Sequence, residues 1–333
     1  VQVRENAAPV VNMDAESTIK AGAVQNLSGA TVNAVLGSDG TVSFKTFVVK
    51  VGNQMYATLE EAFKAATEGC TIEILQDVTI DYKWDCRYTG AKFTVPVTIN
   101  GNGHTIKNMT IVGTDEPLED AAHMYPYGFG FIQNAEFDLE FKNLNFDNVN
   151  IEAWERHVGV FVGNVYGNAW LTFENCHVSN INLNGWLDYN NQDPANGGHP
   201  ISFRVAGFIG GVFAGTPEFT DCSVKNAKMS GFHNLAGFIG YDATGNVDAD
   251  SFTNCHVENL EMTFSYCQSD SYTADMPRKF VSVFFNASDW VDNIDDFDES
   301  GNTFKDIYFI DYTDPDAVHT PQDFRSWTYE EAH

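Results

Sequence analysis

The chain has 333 residues, with 18 Lys plus Arg against 46 Asp plus Glu, a formal charge of −28. A charge this negative disfavours passive binding to DNA, RNA or anionic lipid. A hydrophobic share of 43% supplies enough apolar material for a core, which excludes global disorder, and no apolar run reaches the roughly 18 residues of a membrane-spanning helix.

Residues 1–50 read as a small β-domain or an outer layer. Val32 to Leu36 and Thr41 to Lys50 have strand character around a turn at Gly37-Ser-Asp-Gly40. A helix is expected near 58–67. Thr58 suits its cap, Glu60 and Glu61 its first turn, and Gly69 its end. Leu59, Ala62, Phe63 and Ala66 recur at helical spacing.

From residue 106 a repeat organises the chain. Full copies start at Phe141, Phe173, Phe219, Phe252 and Phe304, with a partial copy at Ile106. Asn or Asp stands two residues later in every copy: Asn108, Asn143, Asn175, Asp221, Asn254 and Asp306. Apolar residues follow at the third and fifth offsets. A second Asn or Asp follows at the seventh in the full copies: Asn148, Asn180, Asn226, Asn259 and Asp311. Apolar residues two apart share one face of a strand. Asn and Asp suit the corners, because their side chains bond to nearby backbone and tolerate the left-handed region. Strands this short bury a face only when stacked coil on coil, with equivalent residues about 4.8 Å apart. Cys176, Cys222 and Cys255 then form an inward column and behave as small buried hydrophobes. Pairing of Cys70 with Cys86, or of Cys255 with Cys267, stays open for an exported protein.

A second phrase runs in phase: Gly130-Phe-Ile132, Gly159-Val-Phe-Val-Gly163, Gly207-Phe-Ile-Gly210, Gly237-Phe-Ile-Gly240 and, more weakly, Val283-Phe-Phe285. Each coil is thus expected to hold a glycine-bordered strand, a corner and two short strands. The uneven spacing of the copies fits a solenoid with variable loops rather than tandem globular modules.

The repeat resembles the right-handed parallel β-helix of the pectate-lyase-like superfamily. So do the phrase Val97-Thr-Ile-Asn-Gly-Asn-Gly-His-Thr-Ile106 and the segments Tyr56 to Ala66, Gly69 to Leu75 and Asp77 to Ile80. The resemblance implies an all-β, right-handed parallel β-helix over 51–315, with the helix near 58–67 capping its N-terminal end and residues 316–333 as a C-terminal cap or tail. It also implies a secreted or surface-displayed protein of the kind found in gut bacteria. The superfamily holds lyases, hydrolases, adhesins and tailspikes, so the resemblance speaks to fold more than to activity.

Loop lengths point to a function. Connections between the last short strand and the next glycine phrase alternate long and short, and in a parallel solenoid they leave from one edge. The long ones carry Tyr125 and Tyr127; Trp186, Asp188, Tyr189 and Arg204; and Tyr266, Asp270 and Tyr272. Flat aromatic faces suit sugar rings, and Asp or Arg gives directional bonds to hydroxyls. The expected ligand-binding set is therefore Tyr125, Tyr127, Trp186, Tyr189, Arg204, Tyr266 and Tyr272, unless these residues simply pack the loops down. The partner would be a glycan or a host or cell-surface protein, with homo-oligomerisation as a further option and nucleic acid excluded. The leading reading is a non-catalytic adhesion or glycan-recognition protein. The alternatives are a carbohydrate-active enzyme using Asp188 and Asp270, and a structural part of a surface layer or virion. His177 and His256 read as an exposed strand face rather than a metal pair. No cofactor is expected. The one metal candidate is Ca²⁺ at Asp292, Asp295, Asp296 and Asp298, in a stretch without EF-hand spacing.

Overall fold

A computed structural model describes residues 2–3, 10–12, 25–26, 32–36, 41–84, 86, 93–112, 128–153, 157–185, 204–231, 234–264, 281–287, 300–311 and 314–320. The chain winds as an all-β solenoid of β-helix type, and a full rung carries four strands, each in its own wall. Wall A stacks Gly128–Phe129, His157–Gly159, Arg204–Ala206, Leu235–Ala236 and Val281–Ser282. Wall B stacks Ile132–Ala135, Val162–Val165, Ile209–Val212, Ile239–Asp242 and Phe285–Ala287. Wall C stacks Cys70–Ile74, Val97–Asn100, Leu139–Lys142, Trp170–Glu174, Thr216–Thr220 and Phe252–Thr253. Wall D runs from Val78–Thr79 through Thr105–Lys107, Asn145–Ala153, His177–Gly185, Ser223–Gly231 and His256–Phe264 to Thr303–Asp311. Neighbours within each of these stacks pair in parallel.

The inward positions of the repeat build two columns of phenylalanine. Phe141, Phe173, Phe219 and Phe252 stack from wall C with ring centroids 4.9, 4.8 and 5.1 Å apart. Phe161, Phe208, Phe238 and Phe284 stack from the A–B turn at 4.8, 4.7 and 5.8 Å. The columns meet edge to face, as in Phe173 against Phe208 at 5.4 Å and 89°. Each ring thus gains about 1.5–3 kcal/mol from burial, and each ring pair about 0.5–1.5 kcal/mol from its geometry. Cys176, Cys222 and Cys255 form the expected buried column, Cys70 is also a free thiol, and Cys86 is buried. Burial pushes the Cys222 thiol well up, so the column behaves as apolar filling.

Several expectations need correction. Ile106 stands opposite Phe146, not Phe141, and Phe304 opposite Val257, not Phe252. The rungs are offset by 42, 32, 46, 33 and 47 residues. The glycine phrase is a turn between two strands, not one bordered strand. Walls A and B fold back on each other there. A side chain on Gly128 would meet the backbone of Gly163 at 2.6 Å, so both positions need glycine. The Thr41 to Lys50 run is two strands. Thr41–Thr46 pairs antiparallel with Val32–Leu36, and Val49–Val51 pairs antiparallel with Cys70–Ile74 of wall C.

The helix is Leu59–Lys64, shorter than 58–67, and it ends at Ala65 before reaching Gly69. Thr58 accepts from the Glu61 amide as expected. Leu59, Ala62 and Phe63 are buried, and Phe63 packs edge-on against Phe131 at 5.3 Å and Trp84 at 6.3 Å. Near the other end, the buried side chain of Asn302 receives the Cys255 amide at 2.7 Å and donates to the Phe252 carbonyl at 2.8 Å. It stands at the inward position held by Cys in the rungs before it. There it satisfies a wall C carbonyl and an amide of the C–D corner. Strand Asp314–His319 then pairs antiparallel with Thr303–Asp311.

Candidate functional site

Every connection from wall D to wall A leaves the same edge. Wall D strands end in register at Ala153 and Gly185 and at Gly231 and Phe264. Wall A strands begin in register at His157 and Arg204. The connections 113–127, 186–203 and 265–280 are long, whereas 154–156 and 232–233 are short. The alternation read from the sequence therefore places three long loops along one edge of a rigid ladder.

Of the expected ligand-binding residues, Arg204 is described. Tyr125, Tyr127, Trp186, Tyr189, Tyr266 and Tyr272 lie outside the described residues. So do the carboxylates Asp188 and Asp270 and the Ca²⁺ candidates Asp292, Asp295, Asp296 and Asp298.

Arg204 opens wall A at the foot of the longest connection. Its guanidinium carbon lies 4.1 Å from the ring centre of Tyr241 and 5.1 Å from that of Phe213. Tyr166 stacks on Phe213 at 5.2 Å, and Phe213 meets Tyr241 at 6.2 Å, so the cation sits against an aromatic column at the end of wall B. On the neighbouring rung Arg204 Nη1 lies 3.2 Å from Nε2 of buried His157, whose ring meets Phe213 edge-on at 4.9 Å. The antiparallel folding of wall B onto wall A brings these groups together, because wall A strands begin where wall B strands end.

His157, Tyr166, Phe213 and Tyr241 were not singled out from sequence. A signal was present. His157 and Arg204 each stand four residues before the turn phenylalanine, at Phe161 and Phe208, so alignment on that residue pairs them.

His177 and His256 occupy one column of wall D with Ser223 between them. His177 Nδ1 bonds Ser223 Oγ at 2.9 Å and His256 Nδ1 bonds Thr303 Oγ1 at 2.7 Å, which fits a hydrogen-bonded strand face. Among the described residues, no group of three or more His, Cys, Asp or Glu could hold a metal, and no helix is long and apolar enough to cross a membrane. Asn286, within a glycosylation sequon, is buried and donates to the Leu235 carbonyl at 2.9 Å, so its amide is committed to the fold.

No family model matches the chain, and neither a curated protein nor a solved structure does.

Proposed function

We propose that this is a secreted or surface-displayed, non-catalytic solenoid that recognises a glycan or a cell-surface protein through the loops on its D-to-A edge. The observation that carries this reading is the placement of three long connections side by side on one edge, with short ones between them. Long connections separated by short ones suit a ligand held between loops, and a scaffold of stacked strands with variable loops suits recognition. The aromatic and Arg content of those loops supplies stacking faces and directional donors. The Arg204 column then serves as the anchor that fixes where the second long loop lands.

In the same reading the coil is right-handed, as parallel β crossovers are by general rule, and belongs to the pectate-lyase-like group. The helix covers the first rung, the solenoid spans 51–315, residues 1–50 form an outer layer, and 316–333 form a cap. The acidic stretch around Asp292, Asp295, Asp296 and Asp298 is the place where Ca²⁺ would bind. Homo-oligomerisation would use the ends of the coil.

A glycan array read alongside release of reducing sugar tests the function. Binding without turnover supports recognition. Turnover abolished by Asp188→Asn or Asp270→Asn would replace it with a carbohydrate-active enzyme, and no binding to any glycan would shift weight to a protein partner or to assembly.

A further inference from the structure

Wall C carries a feature that the loop edge does not share. Four consecutive rungs leave a shallow groove of about 290 Å³ where their strands begin, bordered by Gly69, Pro96, Thr98, Asp138, Glu140 and Trp170. The register explains the groove. The Gly69 amide bonds the Pro96 carbonyl at 2.8 Å, and the Val97 amide bonds the Asp138 carbonyl at 3.2 Å. The Trp170 amide bonds Asp138 Oδ1 at 2.7 Å. Gly69, Pro96, Asp138 and Trp170 therefore stand on successive rungs about 4.8 Å apart. The first two offer no long side chain, and the indole rises at the far end.

Trp170 is 51% exposed, the most of any large hydrophobic among the described residues. Phe137, next to Asp138 in the chain, is 39% exposed. Single exposed apolar residues are ordinary on a protein surface. Here, though, the indole borders a concavity whose other edges carry carboxylates and hydroxyls. An aromatic wall with a few convergent polar groups is the usual composition of a small-molecule site.

The charge pattern narrows the ligand. Glu140 Oε1 lies 2.8 Å from Lys142 Nζ, and Glu140 Oε2 accepts from Thr98 Oγ1 at 2.9 Å. Burial pushes the Glu140 carboxyl up, but the bonds from Lys142 and Thr98 outweigh it and hold the group below its ordinary value. Lys142, shared with Glu174 at 3.5 Å, offsets part of its charge, which weakens the attraction for a cation. Asp138 and the net charge of −28 repel an acidic sugar. What remains suited is an uncharged ligand with one flat apolar face and a rim of hydroxyls.

We propose that the groove beside Trp170 binds a neutral oligosaccharide, one pyranose ring stacking on the indole and its hydroxyls meeting Asp138, Glu140, Thr98 and Thr172. The site shares a ligand class with the loop-edge reading but lies on a different wall, so the two fail separately.

The test titrates the full chain with neutral hexasaccharides: β-1,4-glucan, β-1,4-xylan, β-1,4-mannan, β-1,4-galactan and α-1,4-glucan. Binding is followed by heat and by tryptophan fluorescence. Because the chain has six Trp, the fluorescence signal is the difference between wild type and Trp170→Ala. At least one hexasaccharide is expected to bind, with affinity falling about tenfold or more in Trp170→Ala and largely kept in Trp170→Tyr, which retains an aromatic face. Trp186→Ala, in the second long loop, should leave this binding unchanged. Matching far-ultraviolet dichroism and melting of Trp170→Ala and wild type show that the half-exposed site is not needed for folding. The proposal is overturned if none of the hexasaccharides binds, if binding survives Trp170→Ala, or if only oligolysine or choline binds in a Trp170-dependent way. Hexasaccharide binding lost in Trp186→Ala but kept in Trp170→Ala would support the loop edge and eliminate the groove.

Discussion

The two halves of each rung turn their corners by opposite means. Between walls C and D the corner residues are Asn143, Asn175, Asp221 and Asn254, all with φ between 50° and 55°. A second bend inside wall D uses Asn148, Asn180, Asn226, Asn259 and Asp306, with φ between 52° and 56°. Their side chains continue from rung to rung. Asn175 donates to Asn143 at 2.8 Å, Asn254 donates to Asp221, and Asn259 donates to Asn226 at 2.9 Å. The A–B turn has no such ladder. It works by removing side chains, so that two strands of one rung and the next lie backbone against backbone. One corner is held by added hydrogen bonds, the other by missing atoms, and they should break differently.

Gly210→Ala should be the most damaging change at either corner. The added carbon would lie 2.5 Å from the Val158 amide nitrogen, 2.6 Å from the Gly163 carbonyl oxygen and 2.8 Å from the His157 carbonyl carbon. All three are backbone atoms, so no side chain can swing away. The cost belongs at or above the upper end of the roughly 1–3 kcal/mol typical of overpacking. Denaturant unfolding should show a midpoint well below wild type, or no soluble folded protein. A midpoint equal to wild type would mean that the A–B contact is looser than described.

The same contrast explains what the sequence made legible. Walls C and D could be read because asparagine recurs at fixed offsets from inward apolar residues. Their burial alternates, as in the Leu139–Lys142 strand. The register slipped at Ile106 and Phe304 because both bends use the same chemistry. Asn108 stands alone in its copy, and Asp311 falls at the seventh offset from Phe304 and completes the wrong frame, whereas Asn108 and Asp306 both belong to the second bend. Walls A and B resisted because both faces of their strands are buried, as at Val162–Val165, and burial on both sides erases the alternation that separates strand from turn. The loop edge was readable as a place, since connection lengths follow once rungs are counted. Arg204 was found from its loop; its partner His157 follows from aligning the rungs on the turn phenylalanine, but the approach of Phe213 and Tyr241 depends on how wall B folds against wall A, which no local spacing encodes.

At the asparagine corners the expected losses are smaller and graded. Asn180 has φ 53°, donates to Asp147 Oδ1 at 2.6 Å and accepts from Asn226 at 3.2 Å. Asn180→Ala removes both bonds and leaves a Cβ residue in the left-handed region, for about 2 kcal/mol in total. Asn180→Gly removes the bonds but relieves the backbone, so it should cost about half as much. Equal losses for the two variants in thermal or denaturant unfolding would show that the ladder, not the backbone conformation, holds the bend.

The smallest effect concerns the His177 column on wall D. Burial, reinforced by Lys225 and His256 and opposed by Asp221, holds the His177 pKa below its ordinary value. Ser223 and Asn175 occupy its two ring nitrogens. Between the ordinary value and the folded one, the unfolded chain binds more protons, so acid favours unfolding there. The penalty starts as pH falls below about 6.5 and levels off once the folded imidazole also protonates. His177→Gln keeps a hydrogen-bonding side chain but cannot titrate, so its melting temperature should fall less than that of wild type between about pH 7.5 and pH 5.5. Because His177 is half exposed, the difference should be on the order of 1 °C. Identical pH dependence in the two proteins would place this imidazole in ordinary solvent contact. Wall D would then be held at this column by its backbone ladder alone.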